Sequence, residues 1–299
     1  MLGRLGALLA ARDIPYEKGE PMARRTTLRV GGPADYLVEA RGALELAAAL
    51  QAAKEAGEPA LVIGNGSNLL VRDSGIRGLV IVIGQGMQAV TREGETLYAQ
   101  AGATLARVAQ IAQAEGLSGM EALSGIPGTV GGAVCMNAGA YGTETADVVV
   151  SAEVLDGEGR VSNCAAEVIA FGYRSSAVAA KGLAVTGVSI RLVPGVPEEI
   201  GAAMRAYAAK RREKQPLSLP SAGSFFKRPE GCFAGALIER AGLKGVSVGG
   251  ARVSEKHAGF LVNTGGASAQ DFLDLMELIQ ARVFSASGVR LEPEVRILG

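Results

Sequence analysis

Residues 61–71 read LVIGNGSNLLV. An apolar run opens into Gly64, Asn65, Gly66, Ser67 and Asn68 and then closes again at once. Glycine-rich turns at the end of an apolar run hold phosphate in two common settings, and this one fits neither. No Lys-Ser/Thr pair follows the glycines, which excludes a P-loop. The third glycine of Gly-x-Gly-x-x-Gly is missing, and no amphipathic helix follows. Instead come a brief apolar stretch, a turn at RDSG (72–75) and the apolar run LVIVI at 79–83. The turn therefore joins strand to strand. Such a turn still suits an anion, because successive backbone N–H groups around a left-handed glycine form a concave nest, to which Ser67 and Asn68 add side-chain donors. An ordinary glycine turn is the alternative that this motif alone leaves open.

A second segment narrows the choice. Residues 124–142, SGIPGTVGGAVCMNAGAYG, carry glycine at 125, 128, 131, 132, 139 and 142 among Ala, Ser and Thr. A loop with so little bulk lets backbone approach a large flat ligand, although small residues also serve tight helix–strand packing. Two glycine-rich loops in one half of the chain point to a ligand of dinucleotide size, its pyrophosphate on one loop and its rings near the other.

Around these loops the pattern is α+β. Helical periodicity is clear at 43–56 (ending at Gly57), 104–115 (Thr104 as cap, Gly116 as stop), 198–213, 233–241 and 269–285, where Ser268 and Asp271 form a capping-box pair. Short β-branched runs lie between: LRVGG, ALVIG, GLVIVIG, TLYAQAG, VVVSAEVLD, LAVTGVSIRLV, GARVS, FLVNTG and PEVRIL. They do not alternate regularly with helices, so a doubly wound sheet is not expected. Pro194, Gly195 and Pro197 form the best linker. It separates residues 1–195, in two subdomains of about 1–84 and 85–195, from a C-terminal domain at 196–299.

The 299 residues hold 30 basic and 30 acidic side chains, so no global positive field favours nucleic acid. The run at 79–83 falls far short of the roughly 20 residues of a membrane span. MLGRLGALLAARD at the N-terminus reads as a short amphipathic helix rather than a signal peptide, which points to the cytoplasm. Cys135, Cys164 and Cys232 share no metal-type spacing, and there is one histidine, His257. No disulfide framework and no metal site are expected, and a Ser-His-Asp triad would have to pass through His257.

GNGSNLLV, SGIPGTVGGAVCMNAGAYG, FGYRSS (171–176), PSAGSFFKRP (220–229) and LEPEVR (291–296) together resemble, in that order, the motifs of the UDP-N-acetylenolpyruvoylglucosamine reductase family, over residues 24–299. The first motif alone would fit any flavoprotein of the vanillyl-alcohol-oxidase type. The resemblance implies an FAD-binding domain of that type (PCMH), built from two α+β subdomains, and a C-terminal α+β substrate-binding domain whose last strand, at about 291–299, returns to the active site. It also implies FAD, NADPH as electron donor, UDP-N-acetylglucosamine enolpyruvate as substrate, and a monomer that binds no nucleic acid and no membrane. FAD contacts are expected from Gly64, Asn65, Gly66, Ser67 and Asn68, from Gly125, Ile126, Pro127, Gly128, Thr129, Gly131 and Gly132, and from Asn137, Ala138 and Gly139.

The implied reaction delivers hydride to C3 of an enol ether and builds negative charge at C2 beside a carboxylate. Arg174 resembles the family's arginine that pairs with that carboxylate and the developing enolate; its planar, permanently charged fork suits both. Ser224 resembles the acid that protonates C2, a weak acid that calls for neighbouring donors such as Lys227 or Lys214. Glu294 resembles the glutamate near C2, a role that favours its protonated form, with Glu292 as the competitor on the same strand face. Tyr173, Lys214, Lys227 and His257 are substrate-binding candidates, with Asn263 weaker. Lys210, Arg211 and Arg212 also read as charges that complement a helix C-terminus. Arg228 departs from the asparagine that many members carry after the SFFK lysine. Only about 20 residues lie between Arg174 and Pro194, too few for the tyrosine-bearing insertion of the family's longer form. A different flavin oxidase or dehydrogenase on the same fold, or a flavin-binding module without catalysis, are the competing readings.

Overall fold

The computed structural model describes residues 3–299. The chain forms two compact units, one of residues 3–18, 36–65 and 78–209, the other of 19–35, 66–77 and 210–299.

In the first unit Ala60–Ile63 runs parallel to residues 79–82 of the strand Ile76–Ile83, with Ala60 opposite Leu79 and Ile63 opposite Val82. Parallel neighbours require a crossover, usually a helix. Here residues 64–75 supply it, as the glycine turn followed by the strand Leu69–Val71. Ile76–Ile83 is buried at every position except Arg77, as expected of a strand covered on both faces. The helix Ala43–Ala56 buries Leu46, Ala49, Ala52 and Ala53 and stops at Gly57, whose φ of +75° makes the left-handed cap that glycine adopts without strain. A second sheet is wholly antiparallel, in the order Val161–Ala165, Val149–Leu155, Ala184–Arg191, Thr96–Gln100, Val90–Glu93. The helix Leu105–Ala114 begins at Thr104, whose hydroxyl accepts the Arg107 N–H, and buries the stripe Leu105, Val108, Ala109 and Ala112.

The second unit holds an antiparallel sheet ordered Ser221–Ser224, Phe260–Asn263, Ala251–Val253, Ser247–Val248. The helix Ala269–Ser287 lays Phe272, Leu275, Ile279 and Val283 into its core, with the Phe272 ring 6.4 Å from that of Phe225. Its start carries the anticipated capping box between Ser268 and Asp271. Asp73, from the RDSG turn, accepts the amides of Ala269 and Gln270 at 2.9 and 3.0 Å. The last strand, Arg296–Leu298, pairs in parallel with Leu69–Val71.

The α+β arrangement and the periodic helices agree with expectation, while three local readings change. LRVGG is a turn rather than a strand, because Arg29 adopts φ +58° between the buried Leu28 and Val30. Pro33–Ala40 and Glu17–Pro21 are strands that the sequence pattern did not single out. The glycine-rich segment 124–142 is not all loop, since Val130–Met136 is helical. Of the linker candidates, Pro194 ends a short strand and Pro197 opens the helix Pro197–Lys214, with Gly195 between them in neither. Of the N-terminal helix, Arg4–Ala10 is formed, and Met1 and Leu2 lie outside the described residues. Among the described residues no helix is long and apolar enough to cross a membrane, and no disulfide joins the three half-buried cysteines.

Candidate functional site

The two glycine loops meet at Gly64 in the first unit. A Cβ at Gly64 would lie 2.3 Å from the Thr129 Oγ1, so the strand end and the second loop touch through a position with no side chain. The second loop is fixed from behind. Leu105 N–H donates to the Gly128 carbonyl at 3.1 Å, Val130 N–H to Ala103 at 2.8 Å and Gly131 N–H to Ala101 at 2.9 Å. Gly131 packs on Ala101, where a Cβ would come within 2.9 Å, whereas a Cβ at Gly132 would meet only Thr129 Oγ1, at 3.5 Å. Gly66, Ser67 and Asn68 belong to the second unit, where Gly66 at φ +60° has its missing Cβ 2.1 Å from the Arg25 carbonyl oxygen. Among the described residues the amides of Asn65, Gly66 and Ser67 make no hydrogen bond within the chain. Close backbone approach on rigid glycines, with amides left over, is what a pyrophosphate requires, so these residues fit FAD.

Arg174 also lies in the first unit, in a two-residue turn closed by Gly172 and Ser175, which exchange backbone hydrogen bonds at 3.0 and 3.2 Å. Its φ is +52°, a conformation usually left to glycine or asparagine and a strain of the kind that collects at functional sites. The side chain folds back on the segment after the Val130–Met136 helix. Nη1 donates to the Asn137 carbonyl at 3.2 Å and Nη2 to that of Gly139 at 3.3 Å, with Glu144 Oε1 3.9 Å from Nη1. The half-exposed Tyr173 ring lies 5.1 Å from the guanidinium. Asn137, Ala138 and Gly139 lead into a tight hairpin whose centre, Tyr141 and Gly142, has φ of +54° and +86°. The Ala138 carbonyl accepts from Thr145, and the Tyr141 ring stacks on Tyr207 at 4.8 Å.

Ser224 and Glu294 lie on paired segments of the second unit. Ser221 pairs with Val262 and Ser224 with Phe260, and the register slips between them at Gly223, φ +77°. That bulge turns the Ser224 side chain out to an exposed position while Phe225 behind it is fully buried. The next residues pair with the C-terminal segment: Lys227 N–H donates to the Glu292 carbonyl at 2.8 Å, Phe226 bridges Pro293, and Glu294 N–H donates to the Phe225 carbonyl at 2.9 Å. The Glu294 carbonyl in turn accepts from the Asn68 side chain at 3.1 Å. Lys227 Nζ sits 3.2 Å from Glu292 Oε2, so this lysine and the rival glutamate are paired. Glu292 is exposed and Glu294 half-buried.

The remaining candidates are dispersed. Lys214 is exposed at the end of its helix, and the Arg212 carbonyl there accepts from Lys256. Arg228, in place of the family asparagine, stacks on Phe233 with 3.9 Å to the ring centroid. His257 packs edge-on against Phe260, its Nδ1 accepts the Gly259 amide at 3.1 Å, and burial pulls its pKa below the usual imidazole value. Asn263 is buried, its amide donating to the carbonyl of Leu28. The Gly223 bulge and the Lys227–Glu292 pair went unrecognised in the sequence. A lone glycine inside a strand pattern was the available sign of the bulge; the ion pair had none.

Comparison with known proteins gives a consistent result. A family model described as the UDP-N-acetylenolpyruvoylglucosamine reductase C-terminal domain matches residues 215–298, and one described as an FAD binding domain matches 34–165. The UDP-N-acetylenolpyruvoylglucosamine reductase of Alkaliphilus oremlandii is 48% identical over 280 residues, 94% of this chain and 92% of that protein. That of Latilactobacillus sakei is 46% identical over 300 residues, 100% of this chain and 99% of its own. Among solved structures, the Thermus caldophilus reductase superposes with a TM-score of 0.83 at 37% identity, over 96% of this chain and 100% of that one. A berberine bridge enzyme variant shares the fold over 64% of this chain and 43% of its own, at 15% identity and a TM-score of 0.50.

Proposed function

The chain belongs to the UDP-N-acetylenolpyruvoylglucosamine reductase family, and we propose a residue-level course for its reaction, the NADPH-dependent reduction of UDP-N-acetylglucosamine enolpyruvate to UDP-N-acetylmuramate for peptidoglycan precursors. It is an FAD-binding oxidoreductase, with a PCMH-type domain ahead of the reductase C-terminal domain. FAD, when bound, would supply the hydride for C3 of the enolpyruvyl group, with NADPH as its source.

Gly64 and Gly66, the spare amides at 65–67 and the wall at 125–132 hold the pyrophosphate and admit the flavin closely. Arg174 pairs with the enolpyruvyl carboxylate and takes up the negative charge that grows toward it from C2, a role suited to a guanidinium already oriented by two carbonyls. Ser224 gives its hydroxyl proton to C2. Glu294 shares a hydrogen bond with the enol system from the adjoining segment. Lys214 and Tyr173 are assigned to the substrate's diphosphate and sugar side. Lys227 contributes through its pair with Glu292, and His257 borders the substrate domain's sheet without a chemical step. The enzyme is read as a cytoplasmic monomer of the short form.

The observation that carries this reading is the pairing of 225–227 with 292–294, in which the Glu294 backbone bonds to Phe225, the residue after Ser224. An alcohol oxidase of the same fold would have no use for that pair. Ser224→Ala tests it: flavin reduction by NADPH stays near the parent rate, while reoxidation by the enolpyruvyl substrate slows by about 100-fold or more. Equal slowing of both half-reactions would remove Ser224 as the proton donor.

A further inference from the structure

Asn137 is buried, with 2% of its surface exposed, at φ +41°, where the helix Val130–Met136 gives way to the hairpin. Every polar atom of its side chain is committed. Nδ2 donates to Glu144 Oε2 at 2.8 Å and to the Gly172 carbonyl at 3.1 Å, and Oδ1 accepts the Ala146 amide at 3.0 Å. Its own carbonyl accepts from Arg174 Nη1. One residue thus grips the Arg174 turn twice, at the backbone of Gly172, which closes the turn, and at the guanidinium, which projects from it. Glu144, held by Asn137, places its other oxygen 3.9 Å from the same Nη1. At that separation the carboxylate attracts the guanidinium and helps to fix its direction.

We propose that Asn137, acting with Glu144, is a positioning residue for Arg174: the pair sets where the guanidinium points and keeps the strained turn at 173–174 in its working conformation. The inference rests on the role given to Arg174 above and adds to it. Asparagine suits the position because it tolerates a left-handed backbone and carries both donors and an acceptor on a short side chain.

Asn137→Asp tests this with the least change of shape. It tolerates the same φ, but puts a carboxylate against Glu144 and the Gly172 carbonyl where two N–H donors stood. Because the Asn137 side chain is spent within the chain, an FAD contact there would use its backbone; the expected result is therefore unchanged FAD content, unchanged flavin reduction by NADPH and unchanged competitive inhibition by UDP-N-acetylglucosamine, which has no carboxylate for Arg174. Reoxidation by the enolpyruvyl substrate should fall by about 100-fold, the loss typical of a contact displaced by about 1 Å. In an Arg174→Ala background the same substitution should cost nothing more, since the residue it positions is gone. A full additional loss in that background, loss of FAD, or parental reoxidation by Asn137→Asp alone would each overturn the proposal. If Arg174→Ala itself reoxidises at the parental rate, the role of Arg174 falls and the positioning role with it, an outcome distinct from the other three. Should Asn137→Asp fail to fold, Glu144→Gln serves. Its side chain is 41% exposed, and the change keeps an acceptor for Asn137 while removing the charge near Nη1. Slowing of reoxidation by about tenfold that vanishes beside Arg174→Ala would support the proposal. Slowing of equal size in both backgrounds, or none in either, would overturn it.

Discussion

Gly64→Ala isolates the contact on which the nucleotide cradle depends. The backbone of Gly64 is not left-handed, so alanine brings no conformational strain, and any effect comes from its methyl group. That methyl would sit 2.3 Å from Thr129 Oγ1 and 3.3 Å from its Cγ2, where ordinary contact begins at 3.4 Å. The threonine is not free to rotate away, because its Oγ1 caps the next helix by accepting the Gly132 amide. One loop must therefore move by about 1 Å, and forcing a methyl into a filled site costs roughly 1–3 kcal/mol. The free protein can relax by letting the loop shift, whereas the bound state needs the loop in place, so the cost appears as lost affinity, about 5- to 150-fold. Titration of apo-protein with FAD, followed by flavin fluorescence, measures it. Thr129→Ala in the same chain removes both offending atoms and should recover part of the loss, though removing the cap itself costs about 1 kcal/mol. FAD affinity within twofold of the parent in Gly64→Ala, or no recovery in the double variant, would refute the reasoning.

Three further outcomes are expected. Gly223→Ala places a side chain at φ +77° with open space around it, so the cost is backbone strain of about 1 kcal/mol; rapid kinetics should show slower reoxidation by substrate, because Ser224 leaves its bulge, and unaltered reduction by NADPH. Asp73→Ala removes the carboxylate that accepts two amides at the start of Ala269–Ser287 and should lower unfolding stability by about 1–2 kcal/mol in urea titrations, without changing the flavin spectrum. His257 has its pKa lowered by burial, so the unfolded chain takes up a proton near 6.5 that the folded protein still refuses. Its contribution is fully present above the unfolded value and is lost as pH falls through the folded one. The denaturation midpoint of the parent should therefore drop below about pH 6.5 more steeply than that of His257→Gln.

Much of the fold was legible because long amphipathic helices announce themselves. Ala43–Ala56 with Gly57, and Ala269–Ser287 with its Ser268–Asp271 box, follow from periodicity and caps alone. The errors have local causes. LRVGG has strand composition, but Arg29 turns left-handed so that Leu28 and Val30 can both be buried. Val130–Met136 contains two consecutive glycines, which weigh against a helix by propensity. It forms because tertiary packing overrides propensity: Gly131 fits against Ala101, and Val130, Ala133 and Val134 reach the core. Pro33–Ala40 opens with proline and buries positions irregularly, so neither period stands out. For the site, the motifs named Arg174, Ser224 and Glu294 but not their surroundings. The Lys227–Glu292 pair joins residues 65 apart, and Asn137, which the motif suggested for the cofactor, spends its side chain on the Arg174 turn. Partners so distant in sequence leave no trace in spacing.

In the proposed reaction this chain passes hydride from NADPH, by way of its flavin, to an enolpyruvyl carbon and protonates the neighbouring carbon. The purified holoprotein, reduced under anaerobic conditions with one equivalent of NADPH, is mixed with UDP-N-acetylglucosamine enolpyruvate while flavin absorbance is followed and the product is identified by mass. The prediction is full return of oxidised flavin with one UDP-N-acetylmuramate formed per flavin. Flavin that stays reduced, or that reoxidises without forming UDP-N-acetylmuramate, would contradict it.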